Sequence, residues 1–149
     1  MSSSRSRYQG VACFDFDKTI TCGKKEAIKD AIQLCRSKGM AICIVTARPV
    51  HTLFPLTTRY LRRKLGFPDE FPIYWGSIRN ITSARAEAEH KARQLGEIQQ
   101  RFGVVPQRVF LFDDKKVNTD AAENAGFVGV HLRPCQLSRA FVENALRWY

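Results

Sequence analysis

Two aspartates that stand two residues apart after the first apolar segment are the residues of this chain best suited to chemistry. Asp15 and Asp17 are followed by the hydroxyls of Thr19 and Thr21. We expect a strand to end near Asp15 and a turn to carry Asp17 over the same crevice. Close carboxylates repel each other and need a cation or a shared proton, and Mg²⁺ suits a hard, all-oxygen site. The pattern therefore predicts a magnesium site here.

Polar residues with complementary chemistry follow two further apolar segments. Thr46, Ala47 and Arg48 come after the second segment, and Asp113 and Asp114 come after the fourth. If the segments are parallel strands, their carboxyl ends meet at one edge of a sheet, where α/β proteins place their working sites. We expect these groups to lie together at that edge.

Groups of these types could together cleave a phosphate ester. Asp15 is placed to attack phosphorus and form an aspartyl-phosphate. Asp17 could protonate the leaving oxygen and later take a proton from water. Asp113 and Asp114 could complete the Mg²⁺ shell with Asp15, and Thr46 could donate a hydrogen bond to a phosphoryl oxygen.

A lysine on an apolar helical stripe is the best candidate for the cation that holds the phosphate. Lys91 stands on the core-facing line of the longest predicted helix, where an apolar residue is expected. A lysine there needs an acidic partner, or its side chain extends to water along the helix surface, and both interpretations stay open. The other candidate cations are Arg79, Arg85 and Lys115.

The elements that must position these residues alternate between strands and helices. Continuous apolar runs, typical of buried parallel strands, predict strands at 11–16, 40–45, 72–75, 109–112 and 127–131. Helical periodicity predicts helices at 25–38, 53–65, 82–102, 119–125 and 137–148. This alternation indicates an α/β fold with an open parallel sheet of about five strands and helices on both faces.

Length and composition favour one domain with a basic surface. The 149 residues are 44% hydrophobic, which suits a single domain over 10–149 after a flexible basic tail at 1–9. The net charge of +10 favours an anionic partner such as nucleic acid or a phosphorylated protein, or else a solvated basic surface. The same two alternatives apply to the basic cluster Arg59, Arg62, Arg63 and Lys64.

Cysteine usage and apolar run lengths indicate a cytoplasmic or nuclear protein. The odd number of cysteines, without zinc-ligand spacing, predicts reduced thiols; the five are Cys13, Cys22, Cys35, Cys43 and Cys135. No apolar run reaches the length that crosses a membrane, and the first residues lack the apolar core of a signal peptide.

The order of the candidate residues resembles that of the haloacid dehalogenase (HAD)-like phosphatases. The segment DFDKT at 15–19 matches their DxDxT signature, and the resemblance extends from residue 11 to about 132. Thr46 is similar to their second motif and Lys91 to their third. Asp113 and Asp114, followed by Asn118, resemble the fourth motif.

The resemblance implies a three-layer, Rossmann-like fold and a role for each motif. Asp15 would be the nucleophile and Asp17 the general acid and base. Phosphate would be bound by Thr46, Ala47 and Lys91, and Mg²⁺ by Asp15, the Asp17 carbonyl and Asp114. Asp113 stands where many members have glycine and Asn118 where they have aspartate, so either could support the metal shell. An aspartate at position 17 favours a phosphatase over an ATPase.

The intervals between the motifs leave no room for the full cap domain that many relatives carry. Only three residues, Cys22 to Lys24, separate the first motif from a helix. We therefore expect an open site of the minimal, capless type, which favours a phosphorylated macromolecule or a nucleotide.

The predicted function is a Mg²⁺-dependent phosphomonoesterase that acts through an aspartyl-phosphate. One alternative is a small-molecule 5′-nucleotidase, and another is a non-catalytic basic binding module on the same fold. A signalling receiver domain would carry its acceptor aspartate on the third strand, but here that strand ends in Trp75 and Gly76.

Overall fold

Five parallel strands form one open sheet in the computed structural model, which describes residues 7–49, 58–76 and 83–149. The strand order is β3-β2-β1-β4-β5, and every neighbouring pair is parallel. The predicted α/β architecture is therefore confirmed. The strands are β1 (Gly10–Asp15), β2 (Met40–Pro49), β3 (Ile73–Gly76), β4 (Val109–Asp113) and β5 (Val128–His131).

Two layers of helices cover this sheet. The helices are α1 (Lys25–Ser37), α2 (Ala84–Phe102), α3 (Lys116–Asn124) and α4 (Arg139–Ala145). The first layer pairs α1 with α4, the second pairs α2 with α3, and both α1 and α2 contact β2. The Ser83 hydroxyl caps α2 by accepting the Ala86 amide, and Gly103 ends it in the left-handed conformation, with φ 63°.

The two strands β1 and β4 at the centre of the sheet are shielded from solvent. All residues of β1 and β4 are buried, as expected for parallel strands that helices cover on both faces. Phe14 and Phe112 stack across the two strands, with ring centroids 4.9 Å apart. This packing fixes the strands that carry Asp15 and Asp113 at their carboxyl ends.

Two predicted elements differ from the structure where the chain approaches the site. β2 continues to Pro49, four residues beyond the predicted end at 45, because the chain stays extended through the register shift between Val45 and Pro49 and because the residue before a proline avoids helical geometry. Of the predicted helix at 53–65, the structure shows a helical segment at 58–64, which includes the turn Tyr60–Lys64, and residues 50–57 lie outside the described residues.

A disulfide joins Cys22 to Cys135, so the prediction that all five cysteines are reduced is wrong for this pair. The Cα atoms lie 4.9 Å apart although 113 positions separate them in sequence. Cys13, Cys35 and Cys43 are buried thiols. The support that reduced thiols lent to a cytoplasmic or nuclear location is correspondingly weaker.

The residues that the structure describes form no large cap domain over the sheet. The 34 residues between β2 and α2 include β3 and the turn Tyr60–Lys64, and nine residues separate β1 from α1. Within the described part of the chain, no helix has both the length and the apolarity that a bilayer crossing requires.

Candidate active site

The predicted site residues converge at the carboxyl ends of the three central strands. β1 lies between β2 and β4, so Asp15 at the end of β1 has Thr46 on one side and Asp113 on the other. The chain leaves β1 toward β2, whereas β4 and β5 lie on the opposite side. Such a reversal point opens a crevice above the strand ends, which is where open α/β sheets bind ligands.

A buried ion-pair cluster occupies the floor of this crevice. The Lys91 Nζ lies 2.6 Å from Asp15 Oδ1 and 2.8 Å from Asp113 Oδ2. Lys91 is 0% exposed, so its side chain does not extend to water but is held between two acidic partners. Because an ammonium carries three protons, one donor remains for a further ligand.

Burial and the neighbouring charges set the protonation of this cluster. Burial raises the pKa of Asp15 and Lys91 lowers it, and with the repulsion of Asp113 the pKa of Asp15 rises to about 7. Burial lowers the pKa of Lys91, but the two carboxylates raise it to about 12. The lysine therefore keeps its proton, and one monovalent cation does not fully compensate the acidic groups around it.

Asp113 is held on both of its carboxylate oxygens by protein donors. Oδ2 accepts from Lys91 and from Asn118 Nδ2 at 3.0 Å, and Oδ1 accepts from the Lys115 amide at 2.9 Å. These bonds suit a residue that orients Lys91. Asn118 supports Asp113 through a hydrogen bond, so its contribution to a metal shell would be indirect.

The donor set fits a hard divalent cation. Asp15, Asp113 and Asp114 each offer a carboxylate oxygen, and these atoms lie within 4.8 Å of one another. Asp114 is less constrained than Asp113, and its backbone carbonyl lies 3.0 Å from His131 Nε2. All-oxygen donors of this kind match Mg²⁺, and a divalent charge would favour the ionised form of Asp15 against the burial and the Asp113 charge that raise its pKa.

Asp17 lies on an irregular turn directly after β1. Lys18 adopts a left-handed conformation with φ 60°, a costly geometry for a residue with a side chain. The Lys18 amide donates to Thr21 Oγ1 at 3.0 Å, and its carbonyl accepts the Cys135 amide at 2.9 Å. The turn places Asp17 beside β2, where Arg48 Nε lies 2.9 and 2.7 Å from its two carboxylate oxygens.

The irregular segment of β2 presents Thr46 to the crevice rim. The Thr46 side chain is buried, and its Oγ1 accepts the Arg48 amide at 3.1 Å. Since this lone pair is used, the hydroxyl proton is available for a ligand. Ala47 lies against Gly76 of β3, where any side chain on the glycine would overlap the Ala47 carbonyl.

Comparison with solved structures shows a shared fold at low sequence identity. The NMR structure of the core domain of a proposed phosphoglycolate phosphatase from Streptococcus pneumoniae TIGR4 superposes with a TM-score of 0.62 at 14% identity, covering 96% of this chain and 99% of that one. The HAD domain of the effector protein Lem4 from Legionella pneumophila gives 0.61 at 15% identity, covering 95% of each chain. The chain has the HAD-like fold.

A third structure shares the HAD-like fold. It is a phosphoserine phosphatase with an analogue of the phospho-aspartyl intermediate, with a TM-score of 0.54 at 9% identity, covering 92% of this chain and 90% of that one. No family model matches the sequence, and neither does any curated protein. These likenesses establish the architecture of the chain.

Two residues of the candidate site have contacts that the sequence pattern does not predict. Glu87 is buried at the edge of the ion-pair cluster, with Oε1 3.9 Å from Lys91 Nζ and Oε2 2.9 Å from Lys115 Nζ. Its position four residues before Lys91 on one helix was a usable signal. Arg48 was noted at a strand end, but its pairing with Asp17 depends on the turn and the irregular strand.

The other candidate cations do not replace Lys91. Arg85 pairs with Glu89 on the outer surface of α2, and Lys115 pairs with Glu87 beside the cluster. Arg79 lies outside the described residues. Among the candidates that the structure describes, Lys91 alone places its charged group against both Asp15 and Asp113.

Proposed function

We propose that this protein is a Mg²⁺-dependent phosphomonoesterase that works through an aspartyl-phosphate on Asp15. The observation that supports this most directly is the pairing of Asp15 with the buried Lys91 at the end of the central strand, beside Asp114. A nucleophilic carboxylate needs a fixed position and compensation for its charge before it can approach an anionic phosphate. Both requirements are addressed within one cluster.

The proposed reaction has two steps that share the same residues. An oxygen of Asp15 attacks phosphorus, the bond to the leaving oxygen breaks, and Asp17 gives that oxygen a proton. Asp17 then takes a proton from water, which attacks phosphorus and releases phosphate and the free Asp15 carboxylate. The Lys91 ammonium and the Thr46 hydroxyl hold the phosphoryl oxygens throughout.

The metal would be held by Asp15, Asp114 and the Asp17 carbonyl. When bound, Mg²⁺ would neutralise charge on the phosphate and on the nucleophile. Asp113 would support the site indirectly, because its hydrogen bonds with Lys91, Asn118 and the Lys115 amide hold Lys91 in place and fix the end of β4.

An open crevice favours a phosphate that belongs to a larger molecule or a nucleotide. The absence of a large cap supports this preference, and so does the net charge of +10, which attracts polyanions. Kinetics on nucleotides and on phosphorylated oligonucleotide or peptide ends would identify the class.

Hydrolysis of an aryl phosphate tests the reaction itself. We expect turnover with Mg²⁺, none with a chelator, and a loss of at least about a thousandfold in Asp15→Asn and a large loss in Asp17→Asn. Asp120→Asn is the matched control, because it removes an exposed carboxylate that pairs with Lys116. Full activity in Asp15→Asn would overturn the assignment of the nucleophile. Absence of turnover in the wild-type protein with every phosphate tested would favour the non-catalytic binding module.

A further inference from the structure

Arg48 and Asp17 form an ion pair at the mouth of the crevice, in which one guanidinium nitrogen faces both carboxylate oxygens. The Arg48 Nε lies within hydrogen-bond distance of both Asp17 oxygens, at 2.9 and 2.7 Å. The two side chains are 41% and 43% exposed. The pair therefore differs from the buried cluster in that solvent and solutes reach both partners.

The closed pair is incompatible with the role proposed for Asp17. A general acid must direct one carboxyl oxygen at the leaving group, whereas in the closed pair both Asp17 oxygens face the Arg48 guanidinium. The pair must therefore open when substrate binds. Because exposed ion pairs contribute little net stability, an anion of the substrate could compete for Arg48.

The backbone fixes where such an anion would lie. The Arg48 amide donates to Thr46 Oγ1, so one residue orients the phosphate-binding hydroxyl and carries the exposed guanidinium. Two residues of extended chain span roughly 6–7 Å. This spacing suits a second anionic group on the leaving-group side of the phosphate that reacts.

We propose that Arg48 is a specificity-determining residue that selects substrates with a second anionic group, a carboxylate or a phosphate, near the scissile phosphate. The second anion takes the place of the Asp17 carboxylate on Arg48, and Asp17 is thereby released to act on the leaving oxygen. The inference rests on the proposed function and deepens it. A guanidinium suits this exchange because its planar donors match carboxylate and phosphate oxygens equally.

Matched substrate pairs test the proposal. The first pair is 3-carboxyphenyl phosphate and 3-carbamoylphenyl phosphate, which have nearly the same shape but differ in charge. The second pair is thymidine 3′,5′-bisphosphate and thymidine 5′-monophosphate, with release of the 5′-phosphate measured. We expect kcat/KM to favour the more anionic member of at least one pair by about five- to tenfold, and the pair that shows it identifies the anion.

Arg48→Gln should abolish that preference, because it should change the reaction of the two substrates of a pair in opposite directions. The turnover of 3-carbamoylphenyl phosphate, which lacks the second anion, should rise because Asp17 is released. The kcat/KM for 3-carboxyphenyl phosphate should fall. Arg48→Lys, which keeps the charge but not the planar fork, should retain part of the preference. If the role of Arg48 were only structural, the substitution would instead lower kcat/KM for both substrates by the same factor.

The outcomes separate this inference from the proposed function. Turnover by the wild-type protein without preference in either pair, or a preference that Arg48→Gln leaves unchanged, overturns the role of Arg48 alone. If the wild-type protein with Mg²⁺ hydrolyses other phosphates but none of the four compounds, this inference alone fails. If it hydrolyses no phosphate at all, the proposed function fails, and this inference fails with it.

Discussion

The two acidic residues of the first motif lie two positions apart but in opposite physical settings. Asp15 is buried with Lys91, which also holds Asp113. Asp17 is half-exposed, and its partner Arg48 is equally accessible. In the proposed reaction, the same residue type would serve one role that demands a fixed position and another that demands exchange of partners.

Burial explains the difference between these two environments. Charges removed from water need every available hydrogen bond, so the buried cluster has one arrangement. An ion pair in contact with water exchanges its partners at little cost. The predictions below test whether stability and catalysis divide between the two regions in this way.

Lys91→Met should have the largest effect on stability. It leaves Asp15 and Asp113 buried without a cation, and breaking a buried pair costs about 3–5 kcal/mol. Lys115→Met is the control, because its ion pair with Glu87 is half-exposed on the lysine side and should contribute at most about 1 kcal/mol. Denaturant unfolding without divalent metal measures the free energy of unfolding of both variants. Equal losses in the two would contradict the contrast between the buried cluster and the half-exposed pair.

The pH dependence of the Lys91→Met variant should follow from the raised pKa of Asp15, which is about 7 with Lys91 present. Loss of the lysine raises this pKa further, so the folded variant binds a proton that the unfolded chain releases at neutral pH. A raised carboxyl pKa gives stability that is present at low pH and is lost as the pH rises through the folded value. The deficit against wild type should therefore shrink on acidification.

Reduction of the disulfide should have the next largest effect and should act on the exposed region of the site. The Cys22–Cys135 bond closes a loop with a sequence separation of 113, and loss of such a link costs about 2–5 kcal/mol. The Cys135 amide also donates to the Lys18 carbonyl within the Asp17 turn. We expect a lower Tm and slower turnover under reducing conditions.

The double variant Cys22→Ser with Cys135→Ser is the control for this experiment. It should reproduce the properties of the reduced protein and should not respond to the reductant. A reductant effect of the same size in the double variant would assign the loss to other groups. Unchanged Tm in the reduced wild-type protein would show that the bond adds no constraint.

The sheet and the buried cluster could be predicted from the sequence because their signals are local. Continuous apolar runs located β1 and β4, and the aspartates directly after them located the rim. Lys91 was identified because a lysine interrupts an apolar stripe. Each of these inferences needed only a few neighbouring residues and one rule of parallel sheets.

The exposed region could not be predicted because its contacts join distant segments with irregular backbone. Arg48 meets Asp17 across 31 positions, and only because β2 remains extended past Val45 and Lys18 turns back with φ 60°. The pairing of Cys22 with Cys135 leaves no trace in cysteine spacing. Nothing within one element of the chain indicates either contact.

The smallest expected effect concerns the exposed basic residues Arg63 and Lys64, for which the described part of the chain supplies no buried partner. Arg62, by contrast, donates to the backbone carbonyl of Phe71 at 3.1 Å, so its role is structural. If the remaining cluster binds a polyanion, Arg63→Gln with Lys64→Gln should leave stability and aryl phosphate turnover unchanged. With a 5′-phosphorylated single strand, the salt dependence of log kcat/KM should become shallower by about 0.7 per lost contact.

A matched pair of exposed arginines elsewhere on the surface decides what this result means. Arg93→Gln with Arg147→Gln removes the same charge from α2 and from the segment after α4. An equal change of slope in both double variants would show that net charge alone attracts the strand, since a general field acts from any position within reach of screening. A change confined to Arg63 and Lys64 would make the face that carries them a docking surface for the strand, since only a local contact depends on where the charge lies.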